Sequence, residues 1–153
     1  MPKYVLDSNC YIDAARKSDE RAALRHFVAW AAPQLYLSAV VGAELRAGVR
    51  SSPDRTRLER LVLEPFVRRG RVITPSRAAW DALGLTLGTL AEREGLEPQL
   101  VGRAFAFDVL LAYSAREAGA MVVSRNQRDM ARIRRVFAFE FVAPYPDRPS
   151  SAA

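Results

Sequence analysis

Short runs of hydrophobic residues alternate along the chain with longer segments in which hydrophobic residues recur at helical spacing. The short runs are rich in β-branched and aromatic residues, as buried strands are. Strands separated by helices predict an α/β fold with three layers, in which a mostly parallel sheet of about five strands is flanked by helices. The predicted strands are Tyr4 to Asp7, Leu35 to Ser38, Arg71 to Ile73, Ala120 to Ser124 and Phe139 to Val142.

Helical spacing predicts five longer segments between these strands. Pro65 falls inside the third segment and is expected to kink the helix or end it early, because proline lacks the N–H group that a helix interior needs. Gly119 follows the last segment, at a position where helices commonly end on a left-handed residue. The predicted helices are residues 20–32, 39–49, 53–69, about 76–94 and 105–119.

The length of 153 residues fits one domain with a single core. We expect this domain to span residues 1–143. The last ten residues, PYPDRPSSAA, contain three prolines and small polar groups, so residues 144–153 are predicted to form a disordered tail.

Cysteine content and hydropathy favour a cytoplasmic location. Cys10 is the only cysteine, so no internal disulfide is possible, and a single thiol suits a reducing compartment. The N-terminus lacks the apolar run of about 7 to 15 residues found in secretory signals, and no stretch approaches the roughly 20 apolar residues that span a bilayer. We therefore expect no membrane segment.

The formal charge is +6, from 23 basic and 17 acidic residues, and arginine supplies most of the basic side chains. Arginine binds phosphate and carboxylate groups in a bidentate manner, so the charge agrees with a polyanionic partner. Charge alone does not identify that partner, because a dispersed arginine excess also arises from genomic composition and solubility.

Asp7 ends the first predicted strand, where a buried charge needs a partner. Ser38 and Ser124 end two other predicted strands. Ligand sites of open α/β sheets lie at the carboxyl ends of the strands, so these three residues are expected at one functional edge.

Three more acids belong to segments that leave the same edge. Glu44 lies in the second turn of the helix after Ser38, Asp108 opens the helix of FDVLLAYSAREAG, and Asp129 follows Asn126 by three residues. Together with Asp7, these acids are predicted to converge.

Converging carboxylates repel one another unless a cation lies between them. Oxygen ligands alone suit Mg²⁺ or Mn²⁺, and the absence of a His/Cys cluster makes zinc a poor fit. Such ions activate water and stabilise the leaving oxygen in phosphodiester hydrolysis. A metal-free nuclease with two histidines is excluded, because His26 is the only histidine and is predicted to be exposed on a helix.

Each acid taken alone also has a structural interpretation. Asp7 can cap the following helix, and Asp108 can be a first-turn acid favoured by the helix dipole. Glu44 can pair with an arginine such as Arg46 or Arg50. Asp129 can belong to a capping box, which does not conflict with a metal role. The remaining acids, among them Asp13 and Glu94, stand in polar or turn contexts and are expected to be solvated.

Three segments together resemble the PIN-domain family, and within it the VapC-type toxins of prokaryotic toxin–antitoxin pairs. The order and separation of their acids match the acidic positions of the family, over nearly the whole chain. The segments are YVLDSNCYID, LSAVVGAELRAG and FDVLLAYSAREAGAMVVSRNQRDM.

The resemblance implies a Mg²⁺- or Mn²⁺-dependent endoribonuclease that cleaves RNA, is commonly a homodimer and is neutralised by a cognate antitoxin protein. It also implies that Asp7, Glu44 and Asp108 are the main metal-binding acids, with Asp129 as a fourth that acts through water. Polar positions that orient these acids in the family match Ser8, Ser38, Ser124 and Asn126.

Two alternatives remain open at this point. The first is a metal-dependent nuclease that acts on DNA or structured ends, because this chemistry does not use the 2′-hydroxyl and the acids do not distinguish RNA from DNA. The second is a PIN-like module that only binds nucleic acid or a partner. Four intact acids argue against the second, because grouped negative charge repels a polyanion.

Overall fold

The computed structural model describes residues 2–151, which form a five-stranded parallel sheet with helices on both faces. All strand pairs are parallel. Counted along the chain, the strands lie in the sheet in the order third, second, first, fourth, fifth. This confirms the predicted fold class. The strands are β1 (Lys3–Leu6), β2 (Leu35–Ser38), β3 (Val72–Ile73), β4 (Ala120–Val123) and β5 (Phe141–Val142).

The five predicted helical segments are confirmed, with ends shifted by one or two residues. Two further helices, Ser8–Arg16 and Gln127–Arg134, are too short to stand out as separate elements in the hydrophobic pattern. No helix within residues 2–151 is long and apolar enough to cross a bilayer. The helices are α1 (Ser8–Arg16), α2 (Ser18–Ala31), α3 (Ala39–Gly48), α4 (Ser52–Arg57), α5 (Glu64–Arg68), α6 (Arg77–Glu94), α7 (Arg103–Ala118) and α8 (Gln127–Arg134), with 3₁₀ turns at Ala32–Gln34 and Pro98–Leu100.

Of the two effects predicted for Pro65, a kink or an early end of the helix, the early end is wrong, and the kink stays a prediction. A π-helical segment, Leu58–Leu63, joins α4 to α5, and the helical path continues past Pro65 to Arg68. The N–H of Glu64 bonds to the carbonyl of Glu59, five residues earlier. This wider turn accommodates the proline at a position where its missing N–H group and its ring are tolerated.

Side chains of the central strands alternate between two cores, as the period of a strand requires. Val5 of β1 and Val122 of β4 face a large cluster formed with α3, α7 and α8. Leu6 and Val123 face a second cluster, which contains Phe27 and other side chains of α1 and α2. Both faces of the sheet are therefore covered, which is the three-layer arrangement of an α/β domain.

The strand order reverses direction beside β1. The chain passes outwards from β1 to β2 and β3, then returns to place β4 on the other side of β1. Open α/β sheets have a crevice at such a switch point, at the carboxyl ends of the strands. Asp7 follows β1 and Ser124 follows β4, so both residues lie at this crevice.

The predicted domain boundary at residue 143 stays a prediction, although one residue beyond it contacts the core. Tyr145 is half-buried and its ring stacks on Phe27, with 5.2 Å between ring centres. Residues 147–151 are exposed and form no helix or strand.

A chain that ends at Ala143 is expected to lose about 1 to 2 kcal/mol of unfolding free energy, because it loses the stacked Tyr145 ring. Thermal unfolding measures this loss, and Tyr145→Ala in the full chain should reproduce it. A chain that ends at Asp147 is the matched control and should match the full chain, since it lacks only residues beyond the contact. Equal melting temperatures for both truncations would place the domain end at 143.

Candidate functional site

Asp7 joins the central strand to the first helix. Its backbone N–H bonds to the carbonyl of Val123 at 2.9 Å, which extends the β1–β4 pairing by one step. Its side chain is the N-cap of α1, and Oδ1 accepts from the Ser8 N–H at 2.7 Å. The structural interpretation of Asp7 as a helix cap is therefore confirmed, and the carboxylate is 3% exposed.

The second oxygen of Asp7 is held by two side chains. Oδ2 accepts from the Ser124 hydroxyl at 2.7 Å and from the Asn9 amide at 3.2 Å. Burial raises the pKa of Asp7, whereas the hydrogen bonds from Ser124, Ser8 and Asn9 lower it. These donors stabilise the ionised carboxylate at the crevice.

Asp108 is brought to the same place by α7. The helix begins at Arg103, so Asp108 lies in its second turn and the prediction that it opens the helix is wrong. The dipole at the helix start acts mainly within the first turn, so it does not explain this acid. The side chain is 7% exposed.

The pKa of Asp108 is strongly raised. Its pKa is raised to about 8, first by burial and then by repulsion from Asp7, Glu44 and Asp129. A hydrogen bond from Asn126 acts in the opposite direction. The charges of Asp7, Glu44 and Asp129 therefore lie close enough to Asp108 to disfavour its ionised form.

Asn126 connects the acids of α7 and α8. Its amide Nδ2 donates to Oδ2 of Asp108 at 3.0 Å and to Oδ2 of Asp129 at 2.9 Å. Its Oδ1 accepts from the backbone N–H of Asp129 at 3.4 Å, as the N-cap of α8. The predicted N-cap is confirmed, but the capping box is incomplete, because the backbone N–H of Asn126 bonds to Ser124 Oγ at 3.0 Å instead of to Asp129. The Asn126 side chain nevertheless holds Asp129 beside Asp108.

Glu44 approaches from α3 and is half-buried. Arg46 binds Glu59 instead, with distances of 2.6 and 3.1 Å, so the predicted alternative of a Glu44–Arg46 pair is wrong. Burial and the charge of Asp7 raise the pKa of Glu44, while Ser8 and Arg103 lower it.

Ser38 differs from the other predicted polar residues in its hydrogen-bond partner. Its hydroxyl accepts from the Val40 N–H at 3.1 Å and caps α3, the helix that carries Glu44. No hydrogen bond within residues 2–151 joins Ser38 to an acid. By contrast, Ser8 and Ser124 donate directly to Asp7, and Asn126 bonds to two acids.

The donor set fits a hard divalent cation. No group of three His, Cys, Asp or Glu side chains in residues 2–151 is arranged to hold a metal ion. Mg²⁺ is nevertheless usually bound through one or two carboxylates, with water completing its shell. The repulsion that Asp108 receives from Asp7, Glu44 and Asp129 is the kind of unfavourable interaction that a bound cation relieves.

Other candidate nucleophiles and proton carriers do not fit. Burial raises the pKa of Cys10 to about 12, so its thiol is not ionised at neutral pH. His26 is exposed on α2, as predicted.

Arg125 is a residue of the site region that the sequence pattern does not reveal. Its guanidinium binds Asp13 at 2.8 Å and also Glu20, and its backbone N–H bonds to Asn9 Oδ1 at 3.3 Å. The prediction that Asp13 is merely solvated is wrong. These contacts fasten the loop that carries Ser124 to α1 and α2, but ion pairs over more than 100 residues leave no local spacing to recognise.

Comparison with solved structures supports the fold. A chain of DNA-bound VapBC from Salmonella typhimurium is 25% identical and aligns with a TM-score of 0.66, covering 94% of this chain and 98% of that one. FitAcB from Neisseria gonorrhoeae gives 21% identity, coverage of 90% and 95%, and a TM-score of 0.63. VapBC2 from Rickettsia felis, bound to a promoter DNA fragment, gives 23%, coverage of 92% and 97%, and 0.59.

No curated protein sequence gives a significant match. The family model described as PIN domain matches residues 4–136, a range that contains all four acids and the strands that position them. Because this match covers most of the chain, the protein belongs to the PIN domain family.

Proposed function

We propose that this chain is a Mg²⁺- or Mn²⁺-dependent endoribonuclease, acting in the cytoplasm as the toxin of a type II toxin–antitoxin pair. The observation that carries the proposal is the convergence of Asp7, Glu44, Asp108 and Asp129 at the switch point of the sheet, where burial, and then the charges of the other three acids, raise the pKa of Asp108 to about 8. PIN domains are generally nucleases, so this chemistry agrees with the family.

In this proposal Asp7, Glu44 and Asp108 hold the ion, and Asp129 completes the pocket through water. A bound ion would supply an activated water and neutralise charge on the phosphodiester. Ser124 and Asn126 keep the acids in place, since their hydrogen bonds fix one oxygen each of Asp7, Asp108 and Asp129. Removing Asn126 would take away the side chain that holds Asp108 and Asp129 together, whereas Asp7 would keep its bonds to the Ser8 N–H and the Asn9 amide without Ser124.

The partners also belong to the proposal. VapBC structures among the similar folds support a cognate antitoxin protein as a partner. We further propose a homodimer, as the family resemblance implies.

The nearest rival function is a nuclease that acts on DNA or structured ends. It uses the same acids, because attack by a metal-activated water does not require the 2′-hydroxyl. Cleavage of matched RNA and DNA pools distinguishes the two substrates. A product with a 5′-phosphate is expected from attack by water, whereas attack by the 2′-hydroxyl leaves a cyclic phosphate.

A module that only binds nucleic acid or a partner is the second alternative. The four acids disfavour it, because they repel the polyanion that such a module would bind.

Asp108→Asn is expected to lower the rate of RNA cleavage about a hundredfold or more, because it removes a metal-binding oxygen while keeping the volume of the side chain. Cleavage of labelled RNA with Mg²⁺, Mn²⁺ or EDTA measures this effect, and Asp7→Asn should behave alike. Asp81→Asn is the matched control, since the Asp81 side chain is 62% exposed on α6. Equal cleavage by the wild type and Asp108→Asn would refute the site assignment.

Asp108 also predicts how stability depends on pH in the absence of metal. Its folded pKa is about 8, whereas an unfolded aspartate titrates near 3.9, so the folded state binds more protons between these values. The contribution of Asp108 to stability is present below about pH 4 and is lost as pH rises to about 8. Asp108→Asn removes this loss.

In EDTA at pH 8, Asp108→Asn is expected to melt at least about 5 °C above the wild type, and the difference should vanish near pH 4. Addition of Mg²⁺ at pH 8 should raise the melting temperature of the wild type more than that of the variant, because the ion binds the folded acids. Calorimetry over pH 4 to 8 measures both effects. A variant less stable than the wild type at pH 8 would contradict the repulsion.

A further inference from the structure

A polar cleft opens beside the carboxylate site, between the end of α6 and one face of α8. Its volume is about 630 Å³. Two of its lining residues, Asn126 and Asp129, belong to the carboxylate site itself, so the cleft and the site are continuous. The cleft is lined by Glu94, Asn126, Arg128, Asp129, Arg132 and Arg135.

The arginines of this cleft form a row. Arg128, Arg132 and Arg135 follow one another at spacings of four and three residues, which places them on one face of a helix. Steps of four and three residues advance a helix by about 6 and about 4.5 Å, so the row presents its positive charges in succession, beginning beside Asp129. Arg132 is also fixed from behind, because its guanidinium lies 5.3 Å from the ring centre of Phe105.

Glu94, the last residue of α6, forms ion pairs with two of these arginines. Arg132 Nε donates to Glu94 Oε2 at 2.8 Å, and Arg135 lies 3.2 Å from Oε1. The prediction that Glu94 is only solvated is therefore wrong. A carboxylate whose two oxygens each meet a guanidinium presents the same chemistry as a phosphate group with two bound arginines.

We propose that this cleft binds a phosphodiester group of the single-stranded nucleic acid substrate, and that Glu94 holds the place of that phosphate in the free protein. Arg128, Arg132 and Arg135 are the binding residues, and the phosphate displaces Glu94 from Arg132 and Arg135. The inference rests on the proposed function and adds to it the path by which the strand reaches the acids.

The composition of the cleft favours nucleic acid over an acidic protein segment. All six lining residues are polar or charged. Protein segments usually anchor through buried aromatic or aliphatic side chains, which this cleft does not accommodate. A nucleic acid backbone needs no such pocket, because contacts between arginine and phosphate supply most of its affinity.

The position of Glu94 leads to a result that net charge alone does not predict. A carboxylate that competes with phosphate for the same two arginines lowers the affinity for the strand. Glu94→Gln should therefore bind a single-stranded oligonucleotide more tightly than the wild type. Glu92→Gln removes the same charge from an exposed position two residues away on α6, so it separates displacement from net charge.

The first test is fluorescence anisotropy of a labelled 12-nucleotide single-stranded RNA in EDTA, which separates binding from cleavage. We expect Glu94→Gln to bind about three- to tenfold more tightly than the wild type and Glu92→Gln to stay within about twofold. Equal affinities for the two variants, or weaker binding by Glu94→Gln, would overturn the proposal. Thermal unfolding of both variants checks that the end of α6 remains folded.

The second test removes the arginines. Arg132→Gln and Arg135→Gln should each weaken binding about five- to tenfold and reduce the salt slope of binding by about 0.7, the value for one phosphate contact on a single strand. Arg134→Gln is the matched control on the same helix, since its guanidinium lies over Phe141 at 4.7 Å and does not line the cleft. Equal losses for all three variants would reduce the effect to general charge and overturn the cleft.

A poly-glutamate peptide with the same net charge as the RNA oligonucleotide tests whether the cleft binds an acidic protein segment instead of nucleic acid. Binding of this peptide but not of RNA would overturn the proposal in favour of an acidic protein segment.

Failure of the proposed function gives a different experimental result from failure of the cleft. If Arg132→Gln and Arg135→Gln weaken RNA binding while metal-dependent cleavage is unaffected by Asp108→Asn, the cleft stands and the nuclease site is wrong. If Asp108→Asn abolishes cleavage while Arg132→Gln and Arg135→Gln bind RNA as the wild type does, only the cleft is refuted.

Discussion

The burial of several carboxylates at one edge of the sheet is the constraint to which the rest of the site responds. Asp7 is 3% exposed and Asp108 is 7% exposed, and the charge of Asp7 raises the pKa of both Glu44 and Asp108. Such a cluster stays folded only when nearby donors supply part of the missing solvation. The Ser8 N–H, the Ser124 hydroxyl and the amides of Asn9 and Asn126 provide it.

Helix starts supply much of this solvation. Asp7, Ser38 and Asn126 are the N-caps of α1, α3 and α8, so three helices begin around the crevice. The positive ends of helix dipoles offset negative charge nearby, and capping side chains are held rigidly. Asp108 lacks this advantage, because it lies within α7 rather than at its start, and its pKa rises furthest among the four acids.

The sequence predicts the strands and the converging acids because both depend on local pattern and on a general property of parallel sheets. Asn126 and Asp129 were identifiable from their capping spacing. Arg125 and Glu94 were not, because their partners lie on other elements, many residues away, and ion pairs of this kind have no periodicity. The continuation of the helix past Pro65 was not predictable for a related reason, since a π-helical turn is an adjustment of the backbone that residue propensities do not specify.

The pairing of β1 with β4 has a consequence for synthesis on the ribosome. A nascent chain that has reached α6 contains Asp7 and Glu44 but neither Asp108 nor Asp129, and the central strand still lacks a neighbour on one side. Domains fold as units during translation, and pairing between distant segments comes late. The complete set of acids therefore assembles only after α8 has been made, so that unfinished chains do not carry the site.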